Sequence, residues 1–158
     1  MRFRAPASRI MSSISASVLL FSTAFLAATI LPGSSEAALA ALAISRPAEI
    51  WLLFATATVG NTLGSATNWV LGRWLAGYAG RKWFPVSPAA LERAARKLSR
   101  FGAWSLLLAW LPIVGDPLTV AAGLLRVDFR VFLLFVALGK AARYLMVLWG
   151  VQALAPQL

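Results

Sequence analysis

A Leu-Pro pair followed four residues later by an acid occurs twice, eighty positions apart, as Leu31-Pro32-Gly33-Ser34-Ser35-Glu36 and Leu111-Pro112-Ile113-Val114-Gly115-Asp116. At the same offset Arg46 matches Arg126, and the apolar run 51–57 matches 131–137. Each copy interrupts an apolar stretch. Proline lacks a backbone donor and clashes with the preceding turn, so a helix entering either motif stops near Leu31 or Leu111 and a second one starts beyond it. Ser34 or Ser35 is placed to cap the first restart, with Glu36 in its first turn. Asp116-Pro117 has the form of an N-cap followed by proline at the first helical position. Capping is the plain role for both acids, and only their surroundings argue for more.

Those surroundings are apolar. Of 158 residues, 60% are hydrophobic, with mean hydropathy +0.77, a composition suited to a bilayer rather than to a soluble domain. The Lys and Arg behind the net charge of +10 are then expected to set membrane orientation and contact anionic lipid, and no nucleic-acid partner is expected. Cysteine and histidine are absent, which excludes disulfides, thiolate nucleophiles, Ser-His-Asp triads and the usual zinc sites. The five acids, Glu36, Glu49, Glu92, Asp116 and Asp128, form no catalytic dyad in sequence. Neither an enzyme nor a metal or other cofactor is expected.

Along the chain, residues 1–12 read as a disordered basic tail with Arg2, Arg4 and Arg9. The run 14–31 has the layout of a signal peptide, but hydrophobicity resumes immediately after it, so it is read as retained. Residues 14–45 are then either a span with a short appended helix or a re-entrant hairpin bent at Pro32 and Gly33. The second copy favours a hairpin over 101–127. Its arms, 101–111 and 117–127, would each rise only about 17 Å as α-helices, roughly half the hydrocarbon thickness. Irregular backbone at that depth survives only inside protein or along a cavity, so Pro112, Gly115 and Pro117 should face inward, as should Pro32 and Gly33.

Residues 50–72 are long enough to cross and carry Gly60, Gly64, Asn68 and Gly72 at four-residue spacing. Such a small-residue face is read as a seat for another helix of the same chain. A basic connector, 73–100, contains an amphipathic helix opened by Ser87-Pro88, with Leu91, Leu98 and Phe101 on one face and Arg93, Arg96, Lys97 and Arg100 around the rest. The last long helix, 130–153, holds Lys140 and Arg143 one turn apart. A cation near a bilayer centre costs about 2.5 to 3.5 kcal/mol unless it is paired, and Glu36 and Asp116 are the available partners. One crossing between two hairpins makes the second copy enter from the opposite face. The expected fold class is thus an all-α integral membrane protein, an inverted repeat of a re-entrant helical hairpin plus a long transmembrane helix.

At Leu31 to Glu36, Gly60-Asn61-Thr62-Leu63-Gly64, Asn68 to Arg73 and Trp110 to Pro117, the chain resembles the DedA family, whose shared region is the VTT or SNARE-associated domain, and is most similar to its short YqaA-type members. The likeness covers about residues 14–150 within a single membrane domain over 13–154. The resemblance implies a multi-pass bacterial inner-membrane protein linked to movement of lipids or lipid carriers, including polyprenyl phosphates, and to membrane homeostasis. Eukaryotic relatives act as lipid scramblases. Glu36 matches the family's hairpin acid and Arg73 its Gly-Arg arginine. Where members commonly have an acid after the second glycine of the long helix this chain has Ser65, and where they have arginines flanking the second hairpin's proline it has Ala109 and Gly115.

The expected function is translocation of a lipid or lipid-linked anion, with Glu36 and Asp116 organising a polar cavity and Lys140, Arg143 and Arg73 meeting the anion. A non-transporting scaffold and, third, a membrane-embedded lipid-modifying enzyme are the alternatives. Membrane lipids are the expected partners, and a homo-oligomer is compatible with the sequence. If both breaks are hairpins, nine Lys or Arg of the connector and the Arg126 to Arg130 turn share one face, against four at Arg2, Arg4, Arg9 and Arg46. That places the connector in the cytoplasm.

Overall fold

The computed structural model describes residues 6–28, 34–74, 86–112 and 114–154. Pro32 and Gly33, the bend expected in the first hairpin, lie outside the described residues, as does the part of the connector with Arg81 and Lys82. Every element among the described residues is helical.

The first half comprises α1 (Pro6–Ala27), α2 (Ser34–Ser45), a 3₁₀ turn at Pro47–Glu49, and α3 (Ile50–Trp74). Helix α1 reaches back to Pro6, into the stretch expected to be a disordered tail. Proline is tolerated there because the first-turn N–H groups of a helix have no intrahelical partner. The Ser13 hydroxyl donates to Glu49 Oε1 at 2.7 Å, and Arg46 Nη1 donates to the same oxygen at 3.2 Å and to Ser13 Oγ at 3.4 Å. The chain therefore leaves this level along α1 and is back at it by Arg46. From Ser13 to Ala27 a helix rises about 21 Å, less than the roughly 30 Å of a hydrocarbon core. At Arg46 the chain bends by 118° into α3.

The second half comprises α4 (Pro88–Phe101), a 3₁₀ helix at Gly102–Trp110, α5 (Gly115–Leu124) and α6 (Phe129–Leu154). Ser87 caps α4, its hydroxyl accepting from the Ala90 N–H at 3.3 Å, with Pro88 in first place. Gly102, at φ 59°, ends that helix. The arm beyond it is 3₁₀ rather than the α-helix expected over 101–111. Its nine residues therefore reach about 18 Å at 2.0 Å per residue, as far as the longer α-helical arm would have gone. This narrow helix lies tight on α6: a Cβ added at Gly139 would sit 2.5 Å from the Leu107 carbonyl oxygen, and Trp104 meets Phe135 edge-on at 5.0 Å.

The second break also differs from expectation. Val114 N bonds Pro112 O at 2.8 Å and Gly115 N bonds Leu111 O at 2.9 Å, so turning begins before the acid. Val114 is the N-cap residue, and no side chain caps α5. Asp116 and Pro117 lie inside the first turn, where the missing proline N–H costs nothing. At its far end α5 closes in a Schellman motif, with Arg126 N on Gly123 O at 3.1 Å and Val127 N on Ala122 O at 2.9 Å. Asp128 then opens α6, its Oδ1 accepting from Arg130 N at 2.9 Å and Val131 N at 3.1 Å.

Packing follows a crossed scheme. Helix α1 lies on α3 and the 3₁₀ arm on α6, each within its own half, while α5 lies on α3 and α2 on α6, each across to the other half. Glycines permit the closest approaches. A Cβ at Gly60 would stand 2.7 Å from Phe21 O, and one at Gly64 would stand 2.5 Å from Phe25 O. Asn68 Nδ2 donates to Ala28 O at 2.9 Å. Gly72 abuts Val120 O of α5, and Gly123 of α5 abuts Trp69 O. The small-residue face of α3 thus meets helices of the same chain.

Outside, apolar side chains stay exposed, as a lipid solvent requires. Helix α6 is long and apolar enough to cross a membrane by itself. Trp51 and Trp149 are exposed near one end of the α3–α6 pair, and Trp74 and Trp104 toward the other, the placement of interfacial aromatics. Inside are two apolar clusters, one around Leu106, Leu118, Phe132 and Val136, the other around Leu20, Leu39, Leu53 and Leu148. Between them lies a polar layer.

Candidate functional site

The polar layer is carried by the middles of the two long helices. Asn61 lies eleven residues beyond Ile50, the first residue of α3, and Lys140 eleven beyond Phe129, the first of α6. Both are therefore about 17 Å from the end of a helix, close to half a hydrocarbon core. Lys140 is buried, at 5% exposure, and its ammonium donates to Asn61 Oδ1. The Asn61 amide donates in turn to the Tyr144 hydroxyl at 2.8 Å. Tyr144 is one turn beyond Lys140, and its ring is buried in the second apolar cluster.

Arg143 joins the two halves. Its Nη2 lies 2.8 Å from Glu36 Oε1, and its Nη1 donates to the Trp110 carbonyl at 2.7 Å. The Glu36 and Arg143 side chains are each about one-fifth exposed. The contact is an ion pair more than an aligned hydrogen bond, because both carboxylate oxygens are buried and neither receives a donor at good angle. Trp110 ends the 3₁₀ arm, so the carbonyl is one that a helix terminus leaves unsatisfied. A cation is the strongest group to satisfy it.

Glu36, Asn61, Lys140 and Arg143 enclose a cavity of about 20 Å³, together with Ala27 and Ala28 at the end of α1, Ser35 on α2, and Ala109 to Pro112. Asp116 completes the wall, half-buried at the start of α5. Two carboxylates thus face two cations, and the layer is neutral overall. The sequence leaves open which base meets which acid. Arg143 takes Glu36. Lys140 is held by an amide, while Asp116 faces it without an ion pair. Asn61 and Tyr144 were not singled out as site residues, although four-residue spacing from Lys140 puts Tyr144 on the same helix face. Arg73 is not part of the cluster: it is exposed at the far end of α3. Pro112 lines the cavity and Gly115 is buried against Ala109 O, whereas Pro117 faces away from it.

Residues 31–152 match the VTT domain. The chain belongs to the VTT-domain, or DedA, family of membrane proteins. It is 43% identical over 130 residues to the inner membrane protein YqaA of Escherichia coli, covering 81% of this chain and 85% of that protein. An identical level and coverage hold for the protein of the same name in Shigella flexneri. A Haemophilus influenzae protein is 42% identical over 137 residues, 82% of this chain and 83% of that one. No solved structure matches the chain. The VTT region includes every residue of the polar layer except Ala27 and Ala28.

Proposed function

We propose that this VTT-domain protein lies in the bacterial inner membrane and helps a lipid or lipid-linked anion across it, between two re-entrant hairpins related as an inverted repeat. The observation that carries this reading is that Ala27, Ala28, Ser35 and Glu36 of the first half and Ala109 to Pro112 with Asp116 of the second line one polar, charge-balanced cavity at mid-length of the two long helices. Crossed packing of the hairpin arms supports the repeat, and the clasp between Ser13 and Glu49 supports the first hairpin. A scaffold has no need of a mid-membrane polar layer, since each buried ionic group there is costly to insert. Arg143 and Lys140 supply the donors a phosphate headgroup needs, and Glu36 and Asp116 neutralise them between transits. At about 20 Å³ the cavity holds little more than one water. Transit therefore requires the tips to separate, with the headgroup displacing Glu36 from Arg143.

The small cavity is also what favours the non-transporting scaffold as a second reading. Purified protein in liposomes with fluorescently labelled phospholipid in both leaflets separates the two, using a reductant that bleaches only the outer leaflet. Bleaching beyond half of the label is expected with protein, and less of it with Glu36→Gln or Lys140→Met. Bleaching that stops at half in the presence of folded protein would leave the scaffold.

A further inference from the structure

Helix α4 offers a second place where anions can gather, away from the polar layer. Its inner face packs into the protein: Ala94 and Leu98 join the first apolar cluster, while Ala90 and Leu91 pack on Val86, Val120 and Leu124. The outer face carries Arg93, Arg96, Lys97 and Arg100. Two of these are engaged locally, Arg96 with Glu92 at 3.5 Å and Arg100 over the Phe101 ring at 5.3 Å. Arg93 and Lys97 have no ion pair or hydrogen bond among the described residues. No carboxylate elsewhere is free to serve them: 75–85 contains no acid, and Glu36, Glu49, Asp116 and Asp128 act at other places.

Arg93 and Lys97 are one turn apart, on the rim of a cleft of about 120 Å³. Its other walls are Ala90, Ala94, Val114 and Pro117, all apolar. A wider surface depression of about 550 Å³ continues from it past Arg96 and Arg100 to Phe101. Phe101, at its edge, is exposed, as is Trp104 three residues further along the chain, as befits a segment at the membrane interface. Two unpaired cations above an apolar floor have the chemistry of an anionic phospholipid site. The phosphate sits between guanidinium and ammonium, and the glycerol and upper acyl chain cover the floor.

We infer that the α4 cleft between Arg93, Lys97, Val114 and Pro117 binds the phosphate of an anionic phospholipid. The site does not depend on translocation, and its place in the fold gives it a further meaning. Pro112 and residues 114–117 have two sides: Val114 and Pro117 face the cleft, and Pro112 and Asp116 face the polar cavity. A lipid in the cleft would press on the segment that closes the cavity.

The test uses full-length protein in neutral detergent, titrated calorimetrically with dihexanoylphosphatidylglycerol, dihexanoylphosphatidylcholine or inorganic phosphate. The wild type is expected to bind the glycerol lipid at least tenfold more tightly than either of the others. Arg93→Gln with Lys97→Gln should weaken it by roughly thirtyfold, two surface cations' share. Arg93→Lys with Lys97→Arg should retain binding, and the exposed Arg93→Gln alone should lose part of it without altering the melting temperature. Arg130→Gln removes a charge near the start of α6 and should change nothing. The inference fails if the double neutralisation leaves the preference intact, or if Arg130→Gln weakens it as much, which would make it a net-charge effect. It fails too if inorganic phosphate binds as tightly as the lipid, making the cleft a free-phosphate site.

Discussion

The two halves of this chain share a Leu-Pro motif followed by an acid and build different helices around it. In the first, the inner arm is an α-helix resting on the glycines of α3. In the second, it is a 3₁₀ helix pressed against Gly139 of α6. Described residues of both halves line the same polar layer, and there the halves differ again. Glu36 is committed to Arg143, whereas Asp116 faces Lys140 without pairing. The difference teaches that a recurring sequence motif does not fix which kind of helix leads up to it. The 3₁₀ arm is also the less tightly held by its own backbone, because its hydrogen-bond geometry is poorer than that of an α-helix.

The largest effect is all-or-none and tests whether the halves are inverted. If they are, the turn at Arg46 and the α4 cap lie on opposite membrane faces. In intact cells, a membrane-impermeant thiol reagent should label Ser45→Cys and leave Ser87→Cys unmodified until the cells are opened. Labelling of both from outside would break the inversion, and labelling of Ser87→Cys alone would reverse the orientation.

Next in size is the asymmetry of the acids. Glu36→Gln leaves the half-buried Arg143 without its counterion, and breaking such a pair costs about 3 kcal/mol, the low end of the range because the pair is partly exposed. Adding Arg143→Met should restore part of that loss. Asp116→Asn removes no direct pair and should cost clearly less. Melting temperature in detergent checks both. Equal losses would mean that Asp116 and Lys140 form a closed pair in solution and that the halves are balanced.

Much of this plan was legible in the sequence because prolines, glycines and charges in an apolar chain have few permitted places. The Leu-Pro pair located the second break, four-residue spacing marked Gly60, Gly64 and Gly72, and bilayer cost singled out Lys140 and Arg143. What escaped was decided by tertiary geometry. The 3₁₀ arm has an ordinary helical composition, and only its fit along α6 sets its pitch. Asp116-Pro117 has the form of a cap, but turning begins at Leu111, so the acid falls inside the helix. Which base meets which acid depends on rotation of α6 about its axis, which one-turn spacing does not fix. Arg73 carried a family motif, yet it sits at the end of α3 far from the layer.

The arms themselves can be compared through the glycines beneath them. Gly64→Ala drives a methyl to 2.5 Å from Phe25 O and 2.7 Å from the Ala28 Cβ, and Gly139→Ala drives one to 2.5 Å from Leu107 O. Overpacking of this kind costs about 1 to 3 kcal/mol. An α-helical arm yields as a rigid body, whereas a 3₁₀ arm can rewind. Gly64→Ala should therefore lose more thermal stability than Gly139→Ala, with Gly150→Ala, which meets nothing within 4 Å, as the unperturbed reference. The reverse order would show the 3₁₀ arm to be the stiffer of the two.

The smallest effect has the sharpest sign. Arg46 and Arg126 occupy equivalent places in the repeat, but Arg46 has φ −140° and holds Glu49 and Ser13, whereas Arg126 has φ 57° in the left-handed region. An L-residue there costs roughly 1 to 2 kcal/mol. Glycine avoids that cost, though its greater freedom in the unfolded chain takes back about 0.5 to 1 kcal/mol. Arg126→Gly should then raise stability by a few tenths of a kcal/mol up to about 1 kcal/mol. Arg46→Gly should lower it by about 1 kcal/mol, the worth of a partly exposed ion pair and its hydrogen bond. Arg126→Lys keeps both charge and strain and should match the wild type, so a gain in that variant would assign the effect to charge instead of backbone. If both glycine variants move the melting temperature in the same direction, the two turns are energetically alike and their different backbones carry no consequence.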